Sequence, residues 1–339
     1  MKEISELRKL FEEINKLKNK ASMNTCQFCS ELTNSDDDDY LELHFSLLEQ
    51  KKRYFQPDLK LYFTFRQNRE KVHNFLKNKL QNLQDEQLQN DVKEILEDLN
   101  YSSLDELKQW IKDLKSGKRD DENKFVWSIM RSPFVEYHYS LITDKETSED
   151  FYHHLWLRFE EHREKGAEFL LSKLDNNEDV GFHASIIFCL GKLADKYKIE
   201  KERTLEYARK FAHSNDDLLR ETAIIVLGWI GNEQDIPLLG ENLLNDTNAK
   251  CRTWSATSFM QMNFRLKSKS LVDKALLYLK QAISQETDYF ALGSMIDVVK
   301  ELTGKEFDLA QYAINNIDKE RIDNAKLKVE QFFKKLYNE

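Results

Sequence analysis

The sequence has few of the residues that form turns and cross-links. Its 339 residues include 3 Pro, 9 Gly and 4 Cys. Hairpins and β-turns rely on Gly and Pro, so their scarcity argues against a sheet-rich fold. Four cysteines do not suggest a disulfide framework, which fits a reducing compartment. These shortages together favour an all-helical chain.

Long apolar runs are also missing. No stretch approaches the roughly 18 apolar residues that span a bilayer. The N-terminal stretch MKEISELRKLFEEI lacks the uncharged core of a signal peptide. Cys189 and Cys251 fall within apolar helical patterns, where a reduced thiol acts as a small hydrophobe. We therefore expect a cytoplasmic protein that makes no membrane contact.

The charge balance restricts the class of partner. The formal net charge is −9, although hydrophobic residues at 40% and aromatic residues at 12% are sufficient for a folded core. A protein that binds duplex DNA gains affinity by neutralising phosphates with Lys and Arg. The acidic balance disfavours nucleic acid and leaves a protein partner with a basic or neutral surface open.

Four stretches in the second half of the chain resemble one another. Each begins with polar residues and continues as a helix of small and aliphatic residues. The stretches are Asp179–Gly191, Asp216–Gly228, Lys250–Met260 and Asp288–Val299. Their spacing of roughly 32 to 39 residues is typical of stacked helix pairs. Such pairs bury their apolar faces only against their neighbours, which predicts a solenoid with a binding face.

Apolar periodicity predicts the individual helices. Ser103 and Glu106 have the spacing of a capping box, and Gly117 stands where a left-handed cap would end that helix. The run Asp36–Asp39 is expected to lie at the N-terminus of a helix that starts near Tyr40. Over 58–82 the alternation in LKLYFTF also suits a strand, but the lack of neighbouring strand signals favours one long helix, and from Glu149 we predict a series of pairs. The pairs span 149–164, 166–174, 181–196, 202–213, 217–230, 235–244, 249–262, 270–284, 288–303, 306–316 and 319–337.

The segment DIPLLGENLLNDTNAKCRTWSATSFM resembles a HEAT-like repeat. In that family a Pro and a leucine pair open the first helix, an Asp or Asn marks the turn, and an Arg stands near the start of the second helix. The matching residues here are Pro237, Leu238, Leu239, Asn245, Asp246, Arg252 and Ala256, and in the preceding unit Asp216, Arg220, Ala223, Leu227 and Gly228. The unit from Phe169 departs from the pattern, since Gly181 and Phe182 stand where an Arg is usual.

The resemblance covers residues 150–305 and implies a fold. We expect an all-α protein in which residues 150–339 form an α-solenoid of HEAT-like helix pairs. Residues 1–149 would form an all-helical N-terminal region that caps the stack or binds the partner. HEAT-like proteins mostly bind other proteins. The resemblance therefore implies a non-enzymatic interaction module with no catalytic residue and no cofactor, and is compatible with a bacterial toxin-neutralising immunity protein.

Two groups of residues are candidates for partner binding. The aromatic and cationic group lies in the repeats, and the acidic group precedes them. The candidates are Trp229, Trp254, Arg220 and Arg252, and the four carboxylates Asp36, Asp37, Asp38 and Asp39. The tryptophans are typical interface or core anchors. The two arginines have a competing structural role, because in stacked repeats such residues bridge to the acid of the neighbouring turn.

A HEAT-like alkylpurine DNA glycosylase is the alternative function. Enzymes of that type stack bases on aromatic side chains, which Trp229 and Trp254 could supply, and need a carboxylate such as Asp235 or Glu233. They also need a basic groove, for which Arg220, Arg252 and Arg265 are the available cations. A basic face would favour the glycosylase, and an acidic or mixed face would favour protein binding.

Metal binding is the weakest hypothesis. Cys26 and Cys29 have the spacing of half a zinc site, but no second pair follows. On one predicted helix, Arg158 intervenes between His154 and His162. HEAT-like hydroxylases hold iron through His-Glu dipeptides, and the sequence contains none. We therefore expect no metal ion.

Overall fold

The computed structural model describes residues 3–16, 28, 31–33, 35–50, 56–64, 66, 68–100, 102–144, 146 and 148–338. Within these ranges the regular elements are helices and no strand occurs. The predicted all-α class is confirmed. Cys26 and Cys29 lie outside the described residues. The chain divides into two compact units, residues 1–132 and 133–339.

The first unit is built of short helices around an apolar core. The core collects leucines and phenylalanines such as Leu7, Phe45, Phe63 and Leu76, all essentially inaccessible to solvent. Its helices are α1 (Ile4–Lys16), α2 (Asp38–Glu49), α3 (Gln56–Thr64), α4 (Arg69–Leu80), α5 (Glu86–Asp98), α6 (Leu104–Lys115) and α7 (Glu122–Arg131).

The second unit carries the repeats. It opens with α8 (Val135–Ile142) and α9 (Glu149–Phe159) and continues with five helix pairs. The pairs are α10 (Arg163–Asp175) with α11 (His183–Tyr197), α12 (Lys201–Phe211) with α13 (Asp217–Ile230), α14 (Ile236–Asn245) with α15 (Ala249–Leu266), α16 (Lys269–Gln285) with α17 (Tyr289–Thr303), and α18 (Gln311–Asn315) with α19 (Lys319–Leu336).

Capping residues place several helix ends where the sequence predicts them. The Ser103 hydroxyl accepts the Glu106 backbone N–H at 3.2 Å, and the Glu106 carboxylate accepts the Ser103 N–H at 2.6 Å. Gly117 follows this helix with a φ of 71°. These contacts satisfy donors that a helix start otherwise leaves unpaired, so the predicted capping box is confirmed.

Two predicted helices are each interrupted. The single helix over 58–82 is wrong, because α4 starts anew after Asn68, whose side chain accepts the Lys71 N–H at 3.0 Å. The helix over 149–164 is also wrong. It ends at Phe159, and a 3₁₀ turn over Glu160–His162 leads to Arg163, whose φ of 51° breaks the helical path. Hydrophobic periodicity continues through both breaks, so it did not reveal them.

The second helices of successive pairs pack on one another in chain order, from α11 through α13, α15 and α17 to α19. This arrangement is the predicted α-solenoid. Small residues allow the close approach: a Cβ on Gly191 would lie 2.6 Å from Val226, and one on Gly228 would lie 2.7 Å from the Ser258 hydroxyl. Ser258 donates to the Ile224 carbonyl at 2.9 Å, which ties α15 to α13.

Arginine–carboxylate pairs connect the second helix pair to the third and the third to the fourth. Arg220, near the start of α13, binds both oxygens of Asp246 at 2.7 and 2.9 Å. Arg252, near the start of α15, binds both oxygens of Glu286 at 2.7 Å. Both carboxylate side chains are only 3% exposed. The bridging predicted for these arginines is present, in the bidentate geometry that makes such pairs strong.

The pattern fails where the sequence departs from it. Asp216 and Asp288 cap their helices by accepting the N–H groups of Leu219 and Ala291, each at 2.9 Å. Asp179 does not cap α11. It adopts a left-handed conformation and accepts the Tyr139 hydroxyl at 3.1 Å. The first pair therefore lacks both the arginine bridge and the acidic cap.

We expect Arg220→Ala and Arg252→Ala each to lower the free energy of unfolding by about 1–3 kcal/mol, because each removes charged hydrogen bonds and leaves a buried carboxylate without its partner. Arg321→Ala is the matched control. Arg321 pairs with Asp318 on an exposed helix end, so its loss should cost about 0.5 kcal/mol or less. Urea unfolding of the three variants measures this, and equal stability of all three would contradict a structural bridge.

Candidate functional site

The second helices present a set of apolar side chains to solvent. We define the second-helix face by Phe188, Leu218, Trp229 and Trp254 on the second helices, together with Leu157 on the adjoining helix α9. Leu157 is 59% exposed, Phe188 41% and Leu218 63%. Large apolar side chains at such exposure are uncommon as a group on a monomer and are typical of an interaction surface.

The two tryptophans are both half-buried on this face. Trp229 packs edge-on against Phe188, with ring centroids 5.1 Å apart. Trp254 donates its indole N–H to the Glu221 carboxylate at 3.0 Å, across to the neighbouring second helix. Each tryptophan thus combines a packed part with an exposed part, as anchors at protein interfaces do.

A groove opens at the start of this face, between α9 on one side and α11 and α13 on the other. It encloses about 280 Å³. Its walls are mainly aromatic and aliphatic, and small residues form part of its floor. The walls are Tyr152, Trp156, Leu157, Phe188 and Leu218, and the small residues are Ala184 and Ser185.

Polar contacts join α9 and the turn after it to α11 on either side of the groove. The Tyr152 and Ser185 hydroxyls are 3.4 Å apart. The Lys192 ammonium lies 2.7 Å from the Glu160 carboxylate. Because both contacts connect elements that flank the groove, they fix the distance between its walls. The apolar surface between the walls stays open.

Sequence analysis identified Trp229 and Trp254 but missed the groove. Leu157 and Leu218 read as ordinary members of apolar helices. Both leucines lie off the main apolar stripe of their helix, next to Trp156 and Asp217 in the sequence. This position was the available sign that they are exposed. Only the packing of α9 beside α11 shows that these side chains have no intramolecular cover.

The charges on this face are mixed. Lys192 and Lys196 share the Glu160 carboxylate, at 2.7 and 3.7 Å. Arg220 and Arg252, the predicted partner-binding cations, are held in the bridges between helix pairs. No continuous row of cations accompanies the tryptophans among the residues described here, which is the feature that a phosphate backbone would need.

The carboxylates considered for glycosylase chemistry have other bonds. Asp235 is 2% exposed and accepts from Arg209 at 2.6 Å and from the Asn232 N–H at 2.8 Å. Glu233 accepts from the hydroxyls of Ser268 and Ser270, which keep its pKa below the usual value. Both acids therefore stabilise the turn that leads into the next helix pair.

The four carboxylates of the acidic run differ in environment. Asp36 lies 3.3 Å from Arg66 and also accepts the Asn68 N–H at 2.6 Å. Arg66 is fully buried, and this burial lowers its pKa to about 10 although Asp36 opposes the shift. Asp37, Asp38 and Asp39 are exposed at the start of α2, as predicted. Asp36 is thus a structural counterion, which leaves three carboxylates facing solvent.

We expect Asp36→Asn to lower the free energy of unfolding by about 1–3 kcal/mol, because a buried guanidinium would lose its charged partner. The triple variant Asp37→Asn, Asp38→Asn, Asp39→Asn should change it by about 1 kcal/mol or less, since these side chains are exposed. Thermal unfolding compares the two. A triple variant as unstable as Asp36→Asn would contradict this division of roles.

His162, considered with His154 for metal binding, takes part in a buried pair instead. Its Nε2 lies 2.8 Å from Nδ1 of His138, and His138 Nε2 contacts the Leu155 carbonyl at 3.1 Å. His154 is exposed. No cluster of three or more potential metal ligands occurs among the described residues. The pair anchors α9, and with it one wall of the groove, to α8.

Burial lowers the pKa of His162 to about 4, and burial together with the neighbouring His162 lowers the pKa of His138 well below its usual value. The unfolded chain therefore binds more protons than the folded chain from about pH 6.5 down to about pH 4. We expect the free energy of unfolding to fall as the pH is lowered through this window, and His162 to contribute roughly 3 kcal/mol of the decrease.

The test is urea unfolding across this pH range. His162→Gln should reduce the slope of stability against pH, and His153→Gln should not, because His153 is exposed. Equal slopes in wild type and His162→Gln would contradict a buried neutral pair.

The geometry defines an all-α helical-repeat protein in the described part of the chain. Residues 167–259 match the family model of HEAT repeats, so this stretch of the second unit consists of HEAT-like repeats. The match spans α11 to α14 and most of α10 and α15, the region of the arginine bridges. No curated protein matches the chain. None of the described helices is long and apolar enough to cross a bilayer.

Proposed function

We propose that this protein is a non-enzymatic scaffold that binds another protein through its second-helix face. One observation carries the proposal: exposed apolar side chains are distributed unevenly between the two helix layers. The second-helix layer exposes Phe188 and Leu218, with Trp229 and Trp254 half-buried beside them. Among the described first helices α10, α12, α14, α16 and α18, the strongly exposed large apolar residues are Leu277 and Tyr312.

Such asymmetry is difficult to explain by folding alone. Each exposed large apolar side chain forgoes about 1.5–3 kcal/mol that its burial would contribute. Apart from Leu277 and Tyr312, the described first helices cover their large apolar residues at least in part, so the repeats are able to do so. A partner that covers the second-helix face would recover this free energy, and aromatic residues are enriched at the centres of such interfaces.

The partner proposed here carries a basic surface. Asp37, Asp38 and Asp39 face solvent, and the net charge of −9 favours association with a cation-rich protein. The buried free thiols of Cys189 and Cys251 fit the expected reducing, cytoplasmic setting. Toxin neutralisation by an immunity protein is the narrower form of the proposal, and the HEAT-like resemblance and the acidic charge are compatible with it.

We expect Trp229→Ala and Trp254→Ala each to weaken partner binding by about 30-fold or more, the effect of losing an interface anchor worth at least 2 kcal/mol. The partner is captured from a lysate of the native organism with the full chain, and its affinity for each variant is then measured with purified proteins. Leu277→Ala is the control, because Leu277 is exposed on the first-helix layer. Thermal unfolding verifies that each variant is folded.

Association kinetics test the charge. The triple variant of Asp37, Asp38 and Asp39 should associate more slowly, with a weaker dependence on salt.

Equal affinity of wild type and both tryptophan variants would refute the proposed face. Release of a base from alkylated duplex DNA would establish the glycosylase instead. A captured protein that is toxic alone and harmless when co-expressed with this chain would support the immunity role.

A further inference from the structure

The groove at the start of the second-helix face suggests what the partner presents. We infer that this groove binds a segment of the partner protein that carries a small number of large apolar side chains next to basic residues. The inference rests on the proposed function and assigns to one part of the face its own ligand chemistry.

The size and the lining of the groove indicate which apolar groups of a ligand it can bind. About 280 Å³ lies just below the range of roughly 300–1,000 Å³ that holds whole small ligands, so the groove suits side chains inserted from a larger partner. Tyr152, Trp156 and Phe188 offer aromatic surface, and Leu157 and Leu218 offer aliphatic rims. Removing apolar walls of this kind from water is favourable, so an apolar side chain that displaces water from the groove stabilises the complex.

The charges nearby set the basic part. Both α9 and α13 begin with acidic residues one turn or less before residues that line the groove. The Glu149 side chain is 89% exposed, and the Asp217 side chain is 60% exposed. Asp150 and Glu221 add two further carboxylates at this end. Two basic side chains lie near these acids: Arg220 is held by Asp246 and Asp217, and His153, which lines the groove, lies 3.9 Å from Glu149. They compensate the acids only in part.

The other end of the groove has the opposite character. Lys192 and Lys196 there share the single carboxylate of Glu160. The groove is therefore polarised along its length. A bound segment would place its basic residues at the Glu149 and Asp217 end, which fixes its direction as well as its composition.

Selection from a random peptide library displayed on phage tests this directly, with the full chain as bait. Enriched peptides should contain large apolar residues and carry net positive charge. Leu218→Glu and Leu157→Glu should each weaken their binding by about tenfold or more, because a carboxylate would be placed in apolar contact. Leu277→Glu, at matched exposure on the first-helix layer, should leave binding within about twofold of wild type, since surface changes away from a contact have small effects.

A separate variant tests whether the acidic end of the groove contributes to peptide binding. Glu149→Gln should weaken binding at low ionic strength and leave it unchanged at high ionic strength, where exposed charges are screened. Peptides that bind wild type and Leu218→Glu equally would overturn the inference, as would enrichment of acidic peptides. Self-association that Leu218→Glu abolishes, measured by analytical ultracentrifugation, would also overturn it by making a second copy the occupant.

Failure of this inference is separable from failure of the proposed function. If capture of the native partner depends on Trp229 and Trp254 but not on Leu218 or Leu157, the scaffold function holds and the groove is not part of the interface. If none of these substitutions affects capture, the proposed function fails as well.

Discussion

The close packing of second helix on second helix is the constraint on which the rest of the repeat unit depends. Gly191 and Gly228 allow α11, α13 and α15 to approach until side chains of one helix meet the backbone of the next. At that distance Arg220 and Arg252 reach the turn of the following pair and bind its buried carboxylate. Helix packing and the arginine–carboxylate bridges therefore require the same spacing between helix pairs. Because the two interactions agree, they favour one arrangement of the pairs over others.

The same constraint explains why the apolar surface lies where it does. Each second helix is covered by its own first helix and by its two neighbours in the layer, so only one side is left facing solvent. A side chain on that side cannot be buried by the repeats themselves. Phe188, Leu218 and Trp229 stand there, and under the proposed function a partner protein covers them. Architecture thus converts ordinary apolar residues into an interaction face.

Charge divides between structure and recognition in both units. Asp36 neutralises the buried Arg66, and Asp246 and Glu286 neutralise the bridging arginines. These carboxylates are committed within the fold. Asp37, Asp38, Asp39 and Glu149 are exposed to water, where they can steer a basic partner at low energetic cost, although Asp38 also pairs with Lys71. A net charge computed for the chain does not distinguish the two groups, although only the second is available for binding.

The sequence by itself determined the class of fold, the repeats and much of their chemistry. Helical periodicity, the Ser103–Glu106 capping box and the paired Arg and acid positions are local or regularly spaced signals, so they survive without coordinates. Tertiary structure alone decided the breaks after Phe159 and before Arg69, the roles of Asp36 and His162, and the groove. Each of these depends on which surfaces meet across distant segments, and solvent exposure is a property of that packing rather than of the residue.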